Sequence, residues 1–166
     1  MPDVCVRENQ PLINAGESLA PGSVALMRLD EYSSRVLIWV VATLVEHPHF
    51  RPWLAELPGT VAAKVVDGIE YLREHERGAA LPLVRHRLQI SRHFPDMSEV
   101  RAHQVVGERR YVMRVLVCFV DNDRTLLVCI GGNKAGYEER VGRDWYDDYV
   151  PVADRVVDGY KKGTQR

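Results

Sequence analysis

The sequence predicts a small mixed α/β (α+β) domain. It consists of a mostly antiparallel sheet carrying a helical hairpin on one face, with a C-terminal helix, in the order β-α-α-β-β-β-α. Three observations predict it. Residues 98–134 read as three consecutive strands, SEVRAHQV, RRYVMRVLVCFV and RTLLVCIGG, and the Asp121-Asn122-Asp123 turn makes the last two antiparallel neighbours. Apolar residues recur at helical spacing over residues 47–77. The tail WYDDYVPVADRVVDGYKK returns to that spacing.

In chain order, residues 1–30 are rich in Pro, Gly, Ser and Asn and show no sustained period, so they are expected to form a flexible arm ahead of a single domain over 31–166. Val36 to Leu44 (VLIWVVATL) is β-branched and almost wholly apolar, which predicts a strand in the middle of the sheet. Phe50, Trp53, Leu54 and Leu57 mark a short helix over 47–57, stopped by Pro58-Gly59. Thr60 is placed to cap a longer helix to Arg77, with Val61, Val65, Ile69 and Leu72 as its buried stripe and Gly78 as its C-terminal cap. Residues 79–95 read as a loop. The last helix is expected from Pro151, which suits a first turn, with Val152, Val156 and Tyr160 on one stripe. Trp39 and Trp53 are expected in the core and Trp145 against the final helix.

Composition bounds the function. At 166 residues and 46% hydrophobic, the chain can bury a core of its own. Its net charge of −1 supplies no global attraction to nucleic acid or to an anionic membrane, so any polyanion affinity must be local. Charge is indeed segregated: residues 85–114 hold seven arginines against three acids, whereas residues 1–30 hold two arginines against four acids. Three cysteines, Cys5, Cys118 and Cys129, lack any CxxC or Cys/His spacing, which favours a reducing cytoplasm and excludes a zinc motif. The longest apolar run, Val36 to Val45, is half of the ~20 residues a membrane span needs, and no secretory signal is visible. Neither a metal nor a cofactor is expected.

Alternation along the first of the three strands puts Glu99, Arg101 and His103 on one face, and along the second it groups Arg110, Val112 and Arg114. Cations standing on a pleated surface suit the binding of phosphate. The bland reading is that these arginines are solvated, or that Glu99 pairs with one across the ladder.

The segments SEVRAHQV and RRYVMRVLV, the close on Gly-Gly-Asn-Lys, the helix FRPWLAEL and the tail from Trp145 to Tyr160 together resemble the RelE/ParE superfamily of small bacterial toxins, in particular its HigB-like branch, over residues 35–162. The resemblance implies a toxin of a type II toxin–antitoxin module. It also implies a helix-turn-helix antitoxin as partner, and mRNA on the ribosome as target of a metal-independent endoribonuclease. ParE-like members of the same scaffold instead inhibit DNA gyrase without cutting anything, and an inactive interaction protein is a third possibility. Carried over residue by residue, Arg101 corresponds to the arginine of a Glu-Leu-Arg-like segment, Arg114 to that of a Tyr-Arg-Val-Leu-like strand, and Lys134 to the basic residue after the last strand.

Cutting RNA requires moving protons and meeting charge on a phosphorane. Arg101, Arg114 and Lys134 would meet the charge. His103, with an ordinary pKa near 6.5, would move a proton, and Tyr137 would stack on a base or move a proton. Arg85, Arg87, Arg92 and Arg110 would extend an RNA-binding strip. One departure is the low lysine content: Lys64, Lys134, Lys161 and Lys162 are the only four, so binding must lean on arginine.

Overall fold

The computed structural model describes residues 25–30 and 33–164, with side chains from residue 41 onward. The arm as far as residue 24, Cys5, and the side chain of Trp39 therefore lie outside the described residues.

Five strands form the principal sheet, β3 (Thr43–Glu46), β4 (Val84–Arg85), β5 (Met97–Val106), β6 (Arg109–Val120) and β7 (Thr125–Asn133), in spatial order β3-β7-β6-β5-β4. All neighbours are antiparallel except β3, which runs parallel to β7. Helices α1 (Phe50–Ala55) and α2 (Gly59–His75) follow β3, while α3 (Tyr137–Val141) and α4 (Trp145–Thr164) follow β7. The β-α-α-β-β-β-α order is thus present, with β4 and α3 added to it. No described helix is long and apolar enough to cross a membrane.

Strand alternation divides the core into two layers. Val100, Met113, Val115, Val117, Phe119, Leu126 and Val128 face α1 and α2, meeting the Val61, Val65, Ile69 and Leu72 stripe that the helical spacing predicts. Leu116, Cys118, Leu127 and Cys129 face α4, whose Trp145, Val150, Ala153 and Val157 cover them. Burial raises both thiols, Cys118 to about 12, so they behave as small core hydrophobes.

Four expectations are corrected. The apolar run Val36–Leu44 is not one central strand. Its first part lies in β2 (Ser33–Val40), which pairs with β1 (Ala25–Asp30) in a separate two-stranded sheet, and the remainder enters β3 at an edge of the principal sheet. Pairing partners, not apolarity, decide that division. The segment Ala25–Asp30, assigned to the arm, is accordingly a strand. Helix α2 ends at His75, with Glu76 in the left-handed region at φ 47°, and Gly78 lies in a 3-10 turn instead of capping; at the other end Pro58, not Thr60, is the N-cap. Helix α4 begins at Trp145, six residues before Pro151, which sits in its interior. Pro151 and Asp147 are both exposed, so the carbonyl that Pro151 cannot satisfy is left on the wet side of the helix.

The paired glycines closing β7 let two aromatic clusters approach the sheet. A methyl on Gly131 would overlap the Trp53 indole on one face, and one on Gly132 would lie 2.7 Å from Trp145 Nε1 on the other. Gly131→Ala is therefore expected to cost about 1–3 kcal/mol by overpacking. The readout is a lower urea midpoint at unchanged m; an unchanged midpoint would show that Trp53 yields freely.

Candidate active site

The α4-facing side of β5 carries Met97, Glu99, Arg101 and His103 in succession, and cross-strand register sets Arg101 opposite Arg114 and His103 opposite Val112. Helix α4 covers Met97 but only its first turn reaches Glu99, leaving the remainder of that face open. Asp144, just ahead of α4, accepts from the Tyr146 backbone N–H, fixing that turn in place.

Glu99 is the hub. It is fully buried, and its carboxylate meets Arg101 Nε at 3.0 Å, Arg114 Nε at 2.7 Å and the Tyr146 hydroxyl, which donates at 2.8 Å. The Arg114 Nε–H points off the line to the oxygen, so that contact is an ion pair more than an aligned hydrogen bond. Arg114 is itself only 8% exposed, contrary to the expectation of a solvent-facing arginine. Its Nη1 donates to the Met113 carbonyl and to His103 Nε2, each at 2.9 Å. Both Nη groups of Arg101 and the Nη2 of Arg114 have no hydrogen-bond partner among the described residues. The pairing weighed against a site thus exists, yet it holds the guanidinium stems and leaves these outer N–H groups free.

His103 stands exposed at the outer end of this row. Burial of its ring lowers its pKa, and the surrounding Arg114, Arg110, Arg101 and Lys64 lower it further. Lys64 of α2 also donates to the His103 carbonyl at 3.3 Å. A cleft of about 430 Å³ opens here at the β5 edge, walled by Lys64, Pro82, Leu83, Arg101 and His103. A second groove of about 480 Å³ lies at the other end of the sheet between β3 and α4, lined mainly by Val45, Leu127, Val152 and Val156, and holds none of these cations.

Lys134 joins the cluster less freely than expected. Its ammonium lies 2.7 Å from Asp144 and 4.1 Å from the centre of the Tyr146 ring, and the ion pair holds the Asp144 carboxyl below its usual range. Tyr137 does not join: its hydroxyl donates to Asp148 at 2.6 Å, a hydrogen bond that raises the phenol's pKa and turns it from the arginines. Of the proposed RNA-binding strip, Arg110 is exposed beside His103, and exposed Arg85 pairs in register with Glu99. Arg87 instead lies over the Phe94 ring, and Arg92 is tied to Asp154 and Asp158 of α4, so neither extends the cluster. Among the residues the sequence did not single out as site members are Tyr146 and Lys64. No local pattern marks Tyr146, because it meets Glu99 across forty-seven residues of sequence.

Three histidines share a pH consequence. Burial is the leading cause of depressed pKa at His47, His86 and His103; His86 is held between the Ala79 carbonyl and Ser98 Oγ, at 2.8 and 2.9 Å. Below the ordinary value near 6.5 the unfolded chain binds more protons than the folded one. Stability is therefore complete above pH 6.5 and falls as pH drops through that value toward the depressed ones. Calorimetry from pH 7.5 to 5 should show a falling Tm; a flat profile would contradict the assignment.

No protein-family model matches the chain, and no curated protein matches it. Among solved structures, the chain is similar to an arginine-to-alanine double mutant of the E. coli toxin RelE in the free state. The identity is 13% and the TM-score 0.38, over 61% of this chain and 99% of that one.

Proposed function

We propose that this chain is a toxin of a type II toxin–antitoxin module, of the HigB-like kind, that cuts messenger RNA on the ribosome without a metal in the bacterial cytoplasm. The observation that carries this reading is the Glu99-held pair of arginines, with unpartnered N–H groups beside a neutral histidine on an open sheet face. Such a cluster is built to receive a phosphodiester. Arg101 and Arg114 would bind the non-bridging oxygens and meet the charge of the phosphorane. His103 would take the 2′-hydroxyl proton as the 2′-oxygen bonds to phosphorus and the 5′-oxygen leaves, protonated from solvent, giving a 2′,3′-cyclic phosphate and a 5′-hydroxyl. Lys134, shared with Asp144, would add long-range attraction; Arg85 and Arg110 would track the strand. A helix-turn-helix antitoxin would hold the activity in check.

A gyrase-inhibitor reading draws on the same structure, because Lys134 and Tyr137 are committed to carboxylates instead of to an open site. Induced expression separates the two. New 5′-hydroxyl ends within coding sequences, with rapid loss of translation, are expected within minutes of induction. Early SOS induction over intact transcripts would overturn the nuclease reading and favour gyrase.

A further inference from the structure

The hydrogen bond between Arg114 and His103 constrains how this site can work, on the reading that it binds a phosphodiester. A guanidinium has only donors, so with Arg114 Nη1 at 2.9 Å the imidazole Nε2 must be the acceptor. His103 is then neutral, with its proton on Nδ1. A neutral imidazole accepts protons only at its bare nitrogen, and here that nitrogen is occupied.

We infer that Arg114 is a gate on His103: in the free protein it occupies Nε2, and an arriving phosphate draws the guanidinium's Nη1 N–H to its own oxygen, releasing Nε2 to accept a proton. The geometry supplies both halves of the exchange. Arg114 is anchored at its Nε end by buried Glu99, so its Nη end can swing over a short arc while the ion pair persists. Arg101, held by the same carboxylate, offers its free Nη groups to the same anion. Around His103 stand Arg101 on its own strand, Arg110 and Arg114 on β6, and Lys64 with Asp67 across the cleft on α2. Four cations against two carboxylates, Asp67 and the Glu99 that both Arg101 and Arg114 share, leave an excess of positive charge that disfavours a charged imidazole until an anion offsets it. No covalent bond changes in the gating step. A hydrogen bond passes from nitrogen to phosphate oxygen, and the proton that Nε2 then takes comes from the 2′-hydroxyl in RNA or from solvent when the anion is inert.

The test uses inorganic phosphate and the full chain. Nitrogen-15 NMR of the free protein should show His103 with a pyrrole-type Nδ1 and a bare, hydrogen-bonded Nε2. Saturating phosphate should raise its titration midpoint by about one pH unit or more, as expected for an opposite charge at contact distance. Because inorganic phosphate itself titrates near neutral pH, the proton count is taken with sulfate, a non-titrating tetrahedral dianion: calorimetry near pH 6.5 in buffers of differing ionisation enthalpy should record net proton uptake on binding. In His103→Asn that uptake should vanish while sulfate still binds. Phosphate binding that leaves the His103 midpoint unchanged, a free protein with the proton on Nε2, or uptake that persists in His103→Asn overturns the gate and leaves the nuclease reading standing. Failure of phosphate to bind at all overturns both.

Discussion

Arg114→Ala is expected to lose about 3 kcal/mol of stability, because it leaves a fully buried carboxylate without its nearest cation. An exposed strand arginine would contribute only about 0–1 kcal/mol. The difference lies in Glu99: 0% exposed, it keeps Arg101 and Tyr146 after the change but loses the guanidinium that seals it from the sheet face. Glu99→Gln should cost a similar amount by stranding Arg114. The two changes together should cost clearly less than their sum, the signature of a shared interaction. Urea denaturation of the four proteins measures this cycle. A single Arg114→Ala protein within 1 kcal/mol of the parent would show that the carboxylate is satisfied without it. One practical consequence follows: loss of activity in Arg114→Ala alone would confound folding with chemistry.

Much of this arrangement could be read from the sequence, and the part that could not has a common cause. Alternation in SEVRAH and in RRYVMRV put Arg101, His103 and Arg114 on one face, and the register bears that out, since period-two patterns survive whatever the strands pack against. The buried stripe of α2 was legible for the same local reason. Long-range pairings were not. Glu99 is buried because Tyr146, forty-seven residues away, closes over it, and the pattern of β5 carries no mark of that lid. Lys134 is drawn toward Asp144, and Tyr137 toward Asp148, by a helix that starts earlier than Pro151 suggested. The run Val36–Leu44 was likewise ambiguous, because an apolar stretch does not say which of two sheets will take it. Propensity fixed element type; partner choice fixed the chemistry.

Arg101 separates chemistry from stability where Arg114 cannot. Its side chain is 24% exposed, and without it Glu99 retains Arg114 and the Tyr146 hydroxyl, so Arg101→Ala should cost only about 1 kcal/mol. Its two Nη groups are nonetheless among the free donors at the site, and removing a cation that meets transition-state charge loses on the order of 100-fold or more in rate. RNA cleavage and growth arrest should therefore collapse in a protein that still unfolds cooperatively near the parent's midpoint. Lys134→Ala should fall less, since Asp144 already offsets its charge and the ammonium rests on the Tyr146 ring. A steeper loss for Lys134 than for Arg101 would move the phosphate toward α4, away from the β5 cleft. Should folded Arg101→Ala arrest growth as fast as the parent, the guanidinium pair is a structural clasp on Glu99, and the arrest comes from binding.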